Sequence, residues 1–530
     1  MKSRRTKGQA NKVWICSVVV AAAWILTFSL VQALTINSNS NKLRVSGSSR
    51  PSRIPLKSSK LQQEGEEAVS SSCSSKKVTG LYVHIPYCRR RCRYCNFSIV
   101  PIGPNAAAEL STEYEESKAT ATSLLGFQSM DRNYRKAVLK ELDLIAPQND
   151  EEKNNKTSSV LLESIYFGGG TPSLAPIETI ESILQSIASK FRISSKAEIT
   201  MEIDPGTFSR HTLQAYKELG VNRISLGVQS FHDTILEGLG RTHRRKNIEA
   251  SLELLQDVYG DELNYSMDLI SGLPGLSLEL WDDTLEHITS RVSPRPNHLS
   301  IYDLQVESGT VFGKWYGAPA GPDDDDESLL QRQQHPDLPS EEECAYMYKY
   351  AAGYLRAKGY EHYEVSSYAR DRNYRSRHNQ IYWDVSGQWY AVGLGATSFV
   401  NGVQQARPSK MSDYIQWVEE QNIAEDFHSH QDQSRNDVLP ESEYLTDVIM
   451  KRLRTCDGLD LNWVENRFGR DVLDRIISGS KLGLDLGLAE ITNNNQRLRL
   501  VDPDGLLYSN YLISNIFVEL DGDEEFQLED

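Results

Sequence analysis

Three cysteines, Cys88, Cys92 and Cys95, fall within eight residues in the spacing C-x3-C-x2-C, directly after the apolar run Leu81 to Pro86. Three thiolates on one loop can each hold one iron of a 4Fe-4S cube and leave the fourth iron without a protein ligand, open to a small bidentate molecule. Zinc is the competing reading, but a structural zinc site takes four ligands, commonly as paired C-x2-C, and no fourth ligand completes such a pair here. Arg89, Arg90, Arg91 and Arg93 punctuate the loop. Their charge favours thiolates and a reduced cluster, or simply solvates the loop. The other cysteines, Cys16, Cys73, Cys344 and Cys456, are too sparse for a secreted disulfide framework, so the cluster reads as a metal or redox site in a reducing compartment.

Further polar groups stand where apolar runs end. Gly168-Gly169-Gly170-Thr171-Pro172 follows the run Ser164 to Phe167, and successive glycines let a ligand approach the backbone closely. Glu202, Gln229 and Asp268 each terminate a further run. Singly, such residues cap helices; together on one rim they favour ligand binding. His378-Asn379-Gln380-Ile381-Tyr382-Trp383 sets an imidazole beside flat aromatic surface. Taken alone, a histidine in that setting reads as a hydrogen-bonded core residue.

The elements that must position these groups alternate. Strands are expected at Leu81 to Pro86, Ser164 to Phe167, Glu198 to Ile203, Arg223 to Val228, Tyr265 to Ile270 and His298 to Leu304. Amphipathic helices are expected at Asn133 to Ile145, Ile177 to Ser189, Ser209 to Leu219, Lys246 to Val258 and Leu278 to Thr289. Right-handed crossovers make this an α/β fold with a parallel sheet, open or closed into a partial barrel, whose site gathers at strand C-terminal ends. Pro101 to Met130, Pro147 to Ser159 and Gly317 to Ser340, with its Asp323–Glu327 run, read as solvated insertions. The organisation expected is a targeting segment over 1–63, a linker over 64–79, a core over 80–316, an acidic insertion over 317–340, a core extension over 341–430, a mainly helical unit over 438–518 and an acidic tail over 519–530.

The chain of 530 residues has a net charge of −16, yet residues 1–63 hold 11 Lys and Arg and no acid. The body is therefore strongly acidic, which repels phosphate backbones and disfavours a nucleic-acid partner. Lys2 to Lys12 precede an uncharged, mostly apolar run from Val13 to Leu34, in which Val31-Gln32-Ala33 offers a signal-cleavage pattern. Thr35 to Gln63, rich in Ser, Asn, Lys and Arg, has the composition of a transit peptide. The pair resembles the two-step address of algae with secondary plastids. It implies a plastid stroma and no membrane span after processing, with a mitochondrion or a retained membrane anchor as alternatives.

The cysteine spacing, with Tyr94 before the third cysteine, resembles the radical S-adenosylmethionine (SAM) superfamily. The resemblance implies a partial (β/α)6 barrel related to the TIM fold, and SAM as chelator of the open iron. It also implies SAM contacts at Tyr82, Tyr94, Gly169, Gly170, Thr171, Glu202, Gln229 and Asp268, with Arg241 on the SAM carboxylate. Tyr82-Val83-His84-Ile85-Pro86, Gly220 to Phe231 and Gly272-Leu273-Pro274-Gly275 look like the oxygen-independent coproporphyrinogen III oxidase group, including a C-terminal HemN-type domain. That group divides into an oxidase branch (HemN) and a haem-chaperone branch (HemW). The oxidase branch carries a further cysteine where this chain has Phe97, and the chaperone branch carries the pattern HNxxYW, matched at His378 to Trp383. The resemblance thus implies haem contact at His378 and a chaperone that passes haem to recipient haemoproteins. It adds an electron donor as partner, leaves a homodimer and SAM turnover open, and keeps porphyrin decarboxylation as the alternative.

Overall fold

The computed structural model describes residues 78–103, 121–146, 160–317, 335–420, 441–492, 494 and 496–521. The targeting segment, nearly all of the linker, the Asp323–Glu327 run, the 147–159 insertion and the end of the acidic tail lie outside the described residues.

Six strands carry the core: β1 (Gly80–Ile85), β2 (Leu161–Gly169), β3 (Arg192–Ile203), β4 (Arg223–Gln229), β5 (Tyr265–Ser271) and β6 (His298–Asp303). Every residue of β1 is buried, as a parallel strand covered on both faces requires. Helices α1 (Ala121–Ile145), α2 (Ile177–Lys190), α3 (Arg210–Glu218), α4 (Arg245–Tyr259) and α5 (Leu278–Ser290) connect them. In α2, Ile180, Ile183, Leu184 and Ile187 form the buried stripe that helical periodicity sets on one face. Ser209 starts α3 with a reciprocal capping box to Thr212.

The sheet is wider than six strands. β7 (Glu361–Glu364) and β8 (Ser367–Ala369) add antiparallel beyond β6, while β9 (Trp389–Val392) pairs parallel with β1 and is followed by β10 (Thr397–Val400) and β11 (Val403–Ala406). The eleven strands run β11-β10-β9-β1-β2-β3-β4-β5-β6-β8-β7. Residues 361–406 therefore extend both edges of the sheet and cover the unpaired backbone groups that β1 and β6 would otherwise present. Helix α6 (Glu341–Ala357) leads into β7, and the short α7 (Arg377–Trp383), which carries the His378 motif, lies between β8 and β9.

Three boundaries differ from the sequence reading. Helix α1 begins at Ala121, inside the expected insertion, because Phe127 is buried edge-to-face on Tyr87 at 5.1 Å. Val78, expected in the linker, is buried in the core. The last helix runs Ser509–Asp521 with Leu520 buried, so the acidic tail begins later than residue 519.

The C-terminal unit has its own apolar core, built by Leu445, Ile449, Leu473, Ile476, Leu512 and Ile516. A three-stranded antiparallel sheet of Leu459–Asp460, Arg497–Leu500 and Ala489–Thr492 accompanies its helices. Several polar contacts key the unit to the rest of the chain: Asp502 meets His362 Nδ1 at 2.7 Å and pairs with Arg356, and the Val365 N–H donates to the Arg454 carbonyl at 3.0 Å. Among the described residues, no helix is long and apolar enough to cross a membrane.

Candidate functional site

The C-terminal ends of β1 to β6 surround one cavity of about 300 Å³. The loop after β1 forms one wall, and local pairing fixes its path: Tyr87–Cys88 runs parallel to Val100–Pro101, and Ile102 N–H donates to the Cys88 carbonyl at 2.8 Å. The four arginines of the loop donate to backbone carbonyls. Arg90 donates to the Arg241 carbonyl at 2.7 Å, Arg93 to the Gly238 carbonyl at 2.7 Å, Arg89 to the Gly206 carbonyl at 2.5 Å and Arg91 to the Phe97 carbonyl at 2.9 Å. They staple the loop to itself and to the strand ends.

Cys88, Cys92 and Cys95 all line the cavity, and no fourth cysteine or histidine does so among the described residues. No group of three or more Cys, His, Asp or Glu there could hold a single metal ion. A cube needs one thiolate per iron instead of four ligands about one point, so the donor set fits a cluster with one iron free of protein and not a structural zinc. Burial pushes the Cys95 thiol up to about 11 and the Cys88 thiol further still. Loading iron must therefore release protons.

The glycine run brings β2 onto this loop. A Cβ at Gly169, whose φ is +109°, would stand 2.4 Å from the His84 ring, and one at Gly170 would stand 2.7 Å from the Pro86 and Tyr87 carbonyl oxygens. Only glycine permits that approach. Thr171 lines the cavity beside them, and Tyr94 lines the cysteine wall.

Glu202, Gln229, Arg241 and Asp268 also reach this cavity. Glu202 accepts from Tyr166 at 2.7 Å and from the Gly169 N–H at 3.0 Å, and burial raises its pKa to about 7. Asp268 accepts from Ser225 at 2.8 Å and Ser266 at 3.1 Å, and burial raises it too. Gln229 ends β4 at φ +66°, a left-handed conformation that a glutamine adopts only under constraint. Arg241 is buried, and its Nη2 donates to Asp204 at 2.5 Å and to the Gly227 carbonyl at 2.9 Å.

Two expected residues sit elsewhere. Tyr82 lines a second cavity of about 80 Å³, with its hydroxyl 3.2 Å from His84 Nδ1. His378 lines the same cavity, buried, with Nδ1 2.8 Å from the Ser164 hydroxyl and Nε2 2.9 Å from the Tyr382 hydroxyl. Burial lowers its pKa to about 3. Both ring nitrogens are thus engaged, as in the core-histidine reading, and iron could reach Nε2 only by displacing Tyr382. Tyr166, Glu202 and Tyr302 line both cavities and form the partition between them. Sequence reasoning missed Tyr166, Tyr302 and Asp204. The available signal for Asp204 was its place immediately after the strand that Glu202 helps to close.

The sequence pattern of the Radical SAM superfamily matches residues 82–288. The chain is 33% identical over 463 residues to the heme chaperone HemW of Synechocystis sp., covering 84% of this chain and 98% of that protein. The chain belongs to the radical SAM superfamily and, within it, to the HemW family. Also similar to this HemW-family chain is radical S-adenosyl methionine domain-containing protein 1, mitochondrial, of Bos taurus, 31% identical over 73% of this chain and 76% of that one. The solved structure of coproporphyrinogen III oxidase (HemN) from Escherichia coli shares the fold at a TM-score of 0.58 and 18% identity, covering 83% of this chain and 90% of that one.

Proposed function

We propose that this HemW-family protein is a haem chaperone that carries a SAM-ligated 4Fe-4S cluster and hands haem to recipient haemoproteins. The observation that carries the reading is similarity along nearly the whole length of a heme chaperone, 98% of the Synechocystis protein. When bound, the cluster and SAM supply one-electron reductive chemistry, fed by an external electron donor. The chain's own residues hold and orient. Cys88, Cys92 and Cys95 take the irons, while Glu202, Gln229, Arg241 and Asp268 offer charged and polar groups to SAM. Gly169, Gly170, Thr171 and Tyr94 shape the walls. In this reading haem meets α7 through His378, Tyr382 and Trp383. Tyr382 holds His378 Nε2 at 2.9 Å, so iron ligation by that nitrogen requires the Tyr382 hydroxyl to move aside.

Anaerobic reconstitution with iron, sulfide and SAM, followed by haem titration and transfer to an apo-haemoprotein, tests the proposal. Haem binding and transfer are expected. Robust conversion of coproporphyrinogen III to protoporphyrinogen IX would replace the chaperone reading with the oxidase.

We also propose that residues 1–63 are a two-step plastid address, on the strength of the apolar Val13–Leu34 run and the acid-free segment behind it. A fluorescent fusion of residues 1–63 is expected in the plastid stroma. Mitochondrial or endomembrane fluorescence would overturn this.

A further inference from the structure

Asp204 lies two residues beyond Glu202, just past the end of β3, and its two oxygens have different clients. Oδ1 receives Arg241 Nη2 at 2.5 Å, and Oδ2 receives the Thr171 hydroxyl at 3.2 Å. Each client in turn touches a cluster cysteine. Arg241 Nη1 is 3.6 Å from Cys92 Sγ, and Thr171 Oγ1 is 3.6 Å from Cys88 Sγ. One carboxylate thus links the neighbours of two thiols that are four residues apart.

The surroundings are built for this link. A Cβ at Gly227 would stand 2.6 Å from Asp204 Oδ1, so the end of β4 has no room for a side chain there. Thr171 occupies the N-cap of the short helical turn Pro172–Leu174, yet its hydroxyl makes no cap bond and turns to Asp204 and Cys88 instead. Arg241 is buried with a full charge, which a protein interior tolerates only beside a compensating anion.

We propose that Asp204 is a positioning residue that holds the reduction potential of the cluster down. Positive charge and hydrogen bonds at the ligating sulfurs favour the reduced, more negative cluster and raise its potential. Asp204 opposes both. It neutralises Arg241 beside Cys92, and it accepts the Thr171 hydroxyl's hydrogen bond, which a Cys88 thiolate would otherwise receive. The inference rests on the cluster reading above.

The test is a redox titration of the reconstituted full chain with titanium(III) citrate as one-electron donor, followed by absorbance and electron paramagnetic resonance. In Asp204→Asn the charge is gone, and the new amide donates to Thr171 Oγ1, releasing the hydroxyl proton toward Cys88. The midpoint potential is expected to rise, at wild-type iron and sulfide content. Adding Thr171→Val to Asp204→Asn is expected to return part of that rise. An Asp204→Asn cluster with full iron and a wild-type potential overturns the proposal, as does a rise left undiminished in the double variant for the Thr171 part. If Asp204→Asn does not load iron, Asp204→Ala is titrated with the same expectation, and failure of both to load assigns Asp204 a purely structural role and overturns the proposal. A wild-type chain that binds no iron or sulfide sinks the cluster reading itself.

Discussion

At the scale of single residues, Glu202 and His378 share the smaller cavity, and burial shifts their pKa values in opposite directions. Burial raises Glu202 to about 7, above its ordinary 4.5, so the folded chain holds a proton there that the unfolded chain has released. The stability linked to that proton is fully present below about pH 4.5 and is lost as pH rises through about 7. Glu202→Gln should remove this loss. The difference in unfolding free energy between about pH 5 and about pH 8 shrinks by up to about 3 kcal/mol, as urea titrations at both pH values would register. An unchanged difference would show that Glu202 ionises freely in the fold. His378 poses a separate question, since Tyr382 holds Nε2. Iron ligation by that nitrogen predicts that Tyr382→Phe, which frees it, tightens haem binding, while His378→Ala weakens it by about tenfold or more. Soret titrations in which both variants match wild type would confine the motif to the core.

At the scale of elements, the site depends on how distant pieces are clamped. The turn after β9 is held by Glu141 of α1, which is completely buried and pairs with the equally buried Arg407 at 2.7 Å while accepting from Tyr414 and the Gly393 N–H. Removing one member leaves an uncompensated buried charge, so Glu141→Ala should cost about 3–5 kcal/mol in denaturant unfolding. A loss below about 1 kcal/mol would mean that water reaches Arg407. The cysteine loop is clamped differently, by arginine-to-carbonyl bonds within the loop and to the segments that follow β3 and β4. Replacing Cys88, Cys92 or Cys95 with Ala should therefore abolish the cluster's visible absorption while leaving far-ultraviolet circular dichroism unchanged.

At the scale of the whole molecule, polar contacts join two cores, and Asp502 sits at the joint. It is buried enough to disfavour its charge, yet His362 and Arg356 bring its pKa below the ordinary carboxylate value. The stability it contributes is present above about pH 4 and lost in more acidic solution. Asp502→Ala should lower unfolding stability by about 1–3 kcal/mol at neutral pH, with iron and sulfide content untouched. A variant that loses its cluster instead would show that the C-terminal unit supports the barrel rim.

Much of the site was legible in the chain because its signals are local. The cysteine spacing, the glycine run and the polar residues closing apolar strands depend on neighbours a few positions away, and backbone periodicity reports such neighbours directly. The six core strands were legible for the same reason. What needed the tertiary structure are encounters between residues far apart in sequence: β9 beside β1, Glu141 with Arg407, and Asp204 with Arg241 against Cys92. No periodicity encodes which distant side chains will share a buried space, since that follows from packing and from the need to compensate every buried charge. His378 shows the division. Its motif was plain in the sequence, but only the fold decided that both its nitrogens are already bonded.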